Sequence, residues 1–433
     1  MVQEFDVVVV GAGVIGAATS FELARTGRSV LCVDNSGAVG SGSTSASSAI
    51  IRFHYSTWDS VLTSWESAWL WWRFSEHLGT TASAALAKFV PTGALTFDFR
   101  GTNRDVTVAL MRRCGIAVED LSANQIRERF PALDVADFGV AKRVDDAAFF
   151  DDPVGEVGGY FTPDAGFIDD PMLAAQNFMD AAMRGGAKLR LHSKVVEIRR
   201  RGDAVVGVTL ESGELIDAHV VVNVAGPASA RINEMAGVSG EMKINQRPLR
   251  QEVHVATPPQ NFGLDGTGPL VTDMGLGTYF RPHLGGTMIV GGTEPKCDDL
   301  EWVRDPDQFS DQPTTVGFER SMLRLGRRMP NLAIPSRPKG LAGLYDVTDD
   351  WVPIYDCSSL KGYFMACGTS GNQFKNAPMS GIFMTALVEA SEQGIDHDTD
   401  PVQVVGAHTG MTINLGAFSR LREPETTTGT VMG

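Results

Sequence analysis

Three glycines and an acid carry the first chemistry in this chain. Gly11, Gly13 and Gly16 stand in the spacing GxGxxG directly after a run of β-branched residues that ends at Val10. A helical pattern follows to Thr26, Gly27 breaks it, and a second apolar run, Ser29 to Val33, ends at Asp34. Gly11 permits a tight turn, Gly13 lets the backbone approach a pyrophosphate, and Gly16 lets helix and strand pack closely. The helix N-terminus then offers free N–H groups and a positive dipole end to the phosphates. Asp34 is placed to accept hydrogen bonds from a ribose. These residues predict a β-α-β unit that binds a dinucleotide; they do not separate FAD from a nicotinamide.

Other reactive residue types give weaker patterns. Adjacent acids recur at Asp145-Asp146, Asp151-Asp152, Asp169-Asp170, Asp298-Asp299 and Asp349-Asp350. Such pairs can seed a divalent metal site, but no Asx-x-Asx-x loop with a distal Glu follows them. They read as turn and cap residues. The eight histidines form no HxH or HxxxH pattern, so no metal is expected. No GxSxG elbow is present. The five cysteines, Cys32, Cys114, Cys297, Cys357 and Cys367, are scattered without a CxxC pair. With no signal peptide ahead of the first strand, they suggest free thiols in a reducing cytoplasm.

The elements that must position these residues follow from periodicity. Trp65, Trp69 and Trp72 fall on one face of a helix that begins at Trp58. That face reads as packed core more readily than as an aromatic cofactor box. Residues 104–133 read as helix, turn, helix, and Met172 to Arg184 as another helix. From 188 to 223 the pattern is strands joined by turns, with Arg201-Gly202-Asp203 and Ser212-Gly213 as the hairpin signals. The last strand ends in Ala225-Gly226-Pro227, at a carboxyl end where α/β sheets hold ligands. Residues 246–292 predict a mostly antiparallel sheet. Near the end, a strand from Tyr363, a Gly-rich turn and a helix from Pro378 return to the grammar of the first unit.

Composition sets outer bounds. A chain of 433 residues is long enough for two or three domains, or two interwoven ones. There is no run of about 18 apolar residues, so no membrane span is expected. The net charge of −15 and the lack of a basic stripe argue against nucleic acid as a partner.

Several separated segments then share one order: the N-terminal fingerprint, IIRFHY at 50–55, AGFIDDP at 165–171, VVNVAGP at 221–227, YFRPHLGGTMIVGG at 279–292 and CGTSGNQFKNAP at 367–378. In this the chain resembles the D-amino-acid oxidase superfamily of flavoproteins, in the style of its sarcosine oxidase and dimethylglycine dehydrogenase branch. The resemblance runs to about residue 420. It implies an α/β fold: a Rossmann-like FAD-binding domain with a doubly wound, mostly parallel sheet, and a second α+β substrate domain on an antiparallel sheet. The expected boundaries are 1–90, 146–235 and 330–420 for the FAD domain, 91–145 and 236–329 for the substrate domain, and 421–433 for a flexible tail.

The resemblance also implies site residues. Gly11, Gly13, Gly16 and Asp34 would hold the ADP half of FAD. Ser43 and Thr44 would sit by the pyrophosphate and flavin, and the backbone of Val195 would read adenine. Ala225 and Gly226 would line the cofactor, and the turn from Gly368 through Gly371 to Lys375 would pass the isoalloxazine. Arg52 and Lys375 fall where relatives bind a substrate carboxylate; a guanidinium fork and a compact ammonium suit that task. Outside this context Arg52 reads as a surface or structural ion pair and Lys375 as a solvated loop lysine. Tyr345 and Tyr279 align with residues that shape the pocket.

Three departures follow. The positions from which relatives attach the flavin are Gly343 and Ala46 here, so noncovalent FAD is expected. His54 is near the second but out of register. The lysine that helps oxidases activate oxygen is replaced by Ile289 (a gap would restore Lys296), which leaves the electron acceptor as O2 or a redox partner. The implied reaction is oxidation of a C–N bond in a small amino acid substrate by hydride transfer to flavin N5, followed by imine hydrolysis, in a monomer or homodimer. The rivals are a 2-hydroxy-acid dehydrogenase using His54 or His283 as base, a flavoprotein assembly factor without turnover, and an NAD-dependent dehydrogenase.

Overall fold

The computed structural model describes residues 3–80, 85–100, 103–265, 268–426 and 429–431. The first strand, Gln3–Val10, sits inside its sheet. It runs parallel to Val30–Val33 on one side and to Leu215–Asn223 on the other. Its valines alternate: Val7 and Val9 face the helices, while Val8 and Val10 face the opposite core. This period of two is what a strand buried on both faces requires. Lys188–Arg190 extends the sheet beyond Val30–Val33. Beyond Leu215–Asn223 the far edge is shared: its start pairs antiparallel with Ala204–Leu210 and its end parallel with Tyr363–Cys367.

Register decides where the site lies. Val10 pairs with Val33 and Asn223, and Asn223 with Met365. The chain therefore leaves all these strands at one edge. The glycine turn, Asp34, Ala225-Gly226 and the 368–373 turn all issue there, in the crevice outside the carboxyl ends of a parallel sheet. Helix Val14–Arg25 packs between Pro171–Arg184 and Ala377–Glu392. It is buried from Val14 through Ala24 and has no polar face. A Cβ on Gly381 would lie 2.6 Å from the Ala18 carbonyl, so only glycine lets these helices cross so closely.

A second sheet of nine strands stands beside the first. Next to one edge lies its longest strand, Gln246–Ala256, paired antiparallel with Thr287–Gly292 and with Gly340–Thr348. The order continues through Thr278–His283 and Leu270–Asp273 to Ala94–Phe97, Gly159–Thr162 and Glu119–Leu121. Leu270–Asp273 and Ala94–Phe97 pair parallel, the exception to an otherwise antiparallel run. Helix Thr315–Arg328 covers one face; Thr314 caps it by accepting from the Gly317 amide at 3.0 Å.

Strands Gly159–Thr162 and Gly340–Thr348 lie in stretches expected for the FAD domain, and both pair in the second sheet. Their strand patterns carry no label of the sheet they join. The described part of the 421–433 tail is also not loose. Arg422 donates to both Asp350 oxygens, at 2.9 and 2.8 Å, and Val431 is buried beside Leu249, Val347 and Trp351.

Candidate active site

The glycine turn is shaped by contacts that leave no room for side chains. Gly11 has φ +117, and a Cβ there would lie 2.5 Å from the Val224 carbonyl. A Cβ on Gly16 would lie 1.9 Å from the Gly11 carbonyl. Thr44 Oγ1 accepts from the Val14 amide at 3.0 Å, at the first turn of the helix. Asp34 Oδ2 accepts from the Ala12 amide at 2.6 Å, which ties the acid to the turn. Ser43 Oγ donates to the Leu344 carbonyl at 2.6 Å and so joins this loop to the second sheet.

A cavity of about 800 Å³ runs from this turn into the space between the sheets. It is lined by Gly11, Gly13, Asp34, Ser43, Thr44, Val195, Ala225 and Gly226, and also by Arg52, Tyr279, Tyr345, Gly371 and Lys375. Gly16 and Gly368 stand outside it. Gly16 serves the helix–strand contact. Gly368, at φ +64, donates its amide to Asp346 Oδ2 at 2.6 Å and so shapes the turn that follows. Burial pushes the Asp346 carboxyl up to about 7.

Arg52 and Lys375 meet in this cavity although 323 positions separate them. Strand Ile50–Ile51 delivers Arg52, whose guanidinium donates to the His54 carbonyl at 2.7 Å and the Val431 carbonyl at 2.6 Å. It also lies 4.8 Å from the centre of the Tyr55 ring. Lys375 sits in a short turn before helix Ala377–Glu392. Its ammonium donates to Tyr55 Oη at 2.8 Å and to the Asn372 carbonyl. Burial, and then the Arg52 charge, hold Lys375 well below the usual lysine range. The reading of Lys375 as a solvated loop lysine does not hold.

The two tyrosines form an opposite wall. Tyr279 Oη shares a 2.7 Å hydrogen bond with Ser48 Oγ. The Tyr345 ring fills the space over Gly371, where a Cβ would lie 2.4 Å away. Burial pushes both phenols above their usual value, Tyr345 far above. Gly343 and Ala46 both line the cavity, and a Cβ on Gly343 would lie 2.7 Å from that of Ala46. The two positions where relatives attach flavin thus adjoin, and neither bears a nucleophile. Ile289 is buried in its strand, while Lys296 is exposed in the loop beyond it.

His54 and His283 stand outside the cavity lining. His54 is buried, neither ring nitrogen has a hydrogen-bond partner among the described residues, and burial, then the Arg52 and Lys375 charges, hold it well below the usual histidine range. His283 contacts Arg281 at 3.2 Å. Of the acid pairs, Asp146 and Asp170 cap helices, while Asp298 and Asp350 bind Arg324 and Arg422. Among the described residues no three His, Cys, Asp or Glu side chains gather as a metal site.

Residue types alone did not mark Tyr55, Trp71 or Val431. Tyr55 ends the IIRFHY segment, which was its signal. Trp71 stacks on Phe374 and donates Nε1–H to the Lys375 carbonyl at 2.7 Å, so it fixes the lysine turn from below. Val431 carried no pattern.

A dinucleotide flavin fits these residues. The turn excludes side chains where a pyrophosphate needs close approach, the helix N-terminus and Thr44 face that place, and Asp34 is set at the ribose position. Comparison with known proteins agrees. Residues 6–387 match the DAO family, described as FAD dependent oxidoreductase. A glycine oxidase of Geobacillus kaustophilus is 24% identical over 406 residues, 92% of this chain and 96% of that protein. The sarcosine oxidase subunit beta of Rhodobacter capsulatus is 24% identical over 393 residues, 89% of this chain and 85% of that one. The crystal structure of L-proline dehydrogenase from P. horikoshii shares the fold with a TM-score of 0.73 at 23% identity, covering 92% of this chain and 95% of that one. The chain therefore belongs to the DAO family of FAD-dependent oxidoreductases, and its cofactor is FAD.

Proposed function

We propose that this enzyme oxidises the C–N bond of an amino acid, with secondary and N-methyl amino acids as the first candidates. The observation that carries the reading is the convergence of Arg52 and Lys375, both buried, on the cavity that begins at the glycine turn. Two cations with little solvent around them form a strong site for a carboxylate. Relatives named for glycine and sarcosine oxidation support a small amine-bearing acid. FAD, when bound, supplies the acceptor for the hydride. The chain supplies the rest: Arg52 and Lys375 anchor the carboxylate, Tyr279 and Tyr345 wall the pocket and exclude water, and anchoring at one end aligns the C–H bond at the other.

The 2-hydroxy-acid reading needs a base for the hydroxyl proton. Neither His54 nor His283 lines the cavity, which disfavours it. The open pocket disfavours a role without turnover. The test is an anaerobic titration of the yellow protein with N-methyl, cyclic and primary amino acids and 2-hydroxy acids. Bleaching of the visible band by one amine class, lost in Arg52→Ala or Lys375→Met, supports the reading. Bleaching by hydroxy acids alone, or by nothing in the panel, removes it. Admitting O2 afterwards sorts oxidase from dehydrogenase by the rate at which colour returns.

A further inference from the structure

The turn between strand Tyr363–Cys367 and helix Ala377–Glu392 takes a form that its residues do not favour alone. Gly368, Ser370 and Gly371 all have left-handed backbones, at φ +64, +46 and +70. Glycine enters that region freely, but Ser370 is strained there. Such a turn persists only where its surroundings fix it. Thr369, Gly371, Asn372, Gln373, Phe374 and Lys375 all line the cavity that begins at the glycine turn. The form of this turn therefore decides the shape of one wall of the FAD cavity.

What fixes the turn comes from the other sheet, from strand Gly340–Thr348. The Asp346 carbonyl accepts from the Ser370 amide at 2.7 Å, and Asp346 Oδ2 accepts from the Gly368 amide at 2.6 Å. Ser370 Oγ accepts from the Thr348 amide at 3.2 Å. One residue thus holds the turn at two points. Asp346 is 1% exposed, and its Oδ1 has no hydrogen-bond partner among the described residues. Burial pushes this carboxyl up, the turn amides pull it down, and among the described residues no basic side chain adds to their pull. Across the sheet Asp346 pairs with Pro248. Its titratable neighbour is the Cys367 thiol, which burial and then the Asp346 charge push far up.

A buried carboxyl with so few partners is costly to ionise, and an uncharged side chain of the same size would serve the fold better. That points to a role outside the fold. We propose that Asp346 is a positioning residue for the cofactor: its carboxylate locks the 368–371 turn in the left-handed form that receives FAD. The charged form is the one that holds, because a carboxylate accepts from an amide N–H about twice as strongly as a neutral oxygen does. The protonated carboxyl keeps the shape but slackens the bond. The proposal concerns FAD alone and stands whichever substrate is oxidised. It also fixes a sign. Burial raises the carboxyl from its ordinary 3.8 to about 7. Between these values the folded chain keeps a proton that the unfolded chain has released. Ionisation of Asp346 therefore lowers stability progressively across that window, and in full above it. Cofactor binding, by contrast, gains from the same ionisation, so the two are opposed at this residue.

The test uses Asp346→Asn, which has the shape of the protonated carboxyl and cannot ionise. Two quantities are compared with wild type at about pH 5.5 and about pH 8, on either side of the ionisation. One is the melting temperature of the apoprotein; the other is the Kd with which the apoprotein takes up FAD. At the higher pH the variant should melt at the same temperature or above it, yet bind FAD about fivefold more weakly or worse. At the lower pH, where wild type carries the proton, the two proteins should bind FAD within about twofold of each other. A variant that melts lower than wild type at the higher pH, or that fails to fold, assigns the carboxylate to the fold and overturns the proposal. A ratio of the two Kd values that is the same at both pH values overturns it as well, because the charge then plays no part in holding the turn.

Discussion

Lys375 lies in an environment that resists its charge, and a substrate carboxylate is what would restore it. Burial and the nearby Arg52 lower its proton affinity well below the ordinary lysine value of 10.5. An anion placed beside it favours the charged form again. Binding of a carboxylate that carries no amine should therefore take up protons at pH values above the depressed value. Propionate titrated in buffers of different ionisation heat should show this uptake, and Lys375→Met should abolish it. Its absence from the wild-type protein would show that Lys375 does not meet the carboxylate. Linkage gives the sign for stability as well. The folded state holds fewer protons than the unfolded one below pH 10.5, so the Lys375 contribution grows as pH rises toward that value and is lost as pH falls through the folded value. Arg52 acts by geometry rather than titration. Arg52→Lys keeps the charge but loses the fork, and carboxylate affinity should fall about 10- to 100-fold in the same titration.

Between elements, short contacts set the site more than charge does. Thr44 belongs to a loop, yet its hydroxyl accepts from the first turn of helix Val14–Arg25, which lacks a side-chain cap of its own. Thr44→Val removes that acceptor from a buried amide. It should cost about 1 kcal/mol in denaturant unfolding of the apoprotein. FAD affinity should fall as well, because the loop then loses its hold on the helix N-terminus. Unfolding and FAD binding that both match wild type would show that the bond is dispensable. The requirement at Gly11 and Gly16 was legible because it lies within one β-α-β unit. The contact of Gly381 with Ala18 was not: it joins helices 363 positions apart, and nothing near Gly381 in sequence signals a crossing.

Across the whole molecule, the cavity is closed by segments from both sheets. Pro306, Asp307, Phe309, Asp311 and Gln312, in the segment before helix Thr315–Arg328, line the cavity. Asp307 fastens them to the other sheet's side through Arg231 at 3.0 Å and Lys194 at 3.4 Å. All three side chains are a third or more exposed, so the pairs add little to global stability. Asp307→Ala should shift the melting temperature of the apoprotein by no more than about 2 °C. FAD release, followed by the rise in flavin fluorescence on dilution, should become several-fold faster. An unchanged release rate would show that the strap does not retain the cofactor.

What the sequence determined by itself is what depends on neighbours in the chain. The glycine spacing needs a strand before it and a helix after it, and all three are adjacent, so the dinucleotide turn and Asp34 were legible. The alternation in Gln246–Ala256 and the period in Pro171–Arg184 were legible for the same reason. Arg52 and Lys375 were reached only through a resemblance, because each alone is an ordinary basic residue. The tertiary structure decided what depends on distant segments. It brought those two cations into one cavity, set Tyr55 between them, paired Gly159–Thr162 and Gly340–Thr348 in the second sheet, and brought the Val431 carbonyl to Arg52. Sheet pairing and buried charge are settled by packing over the whole chain, and no local pattern encodes which distant partner a residue will meet.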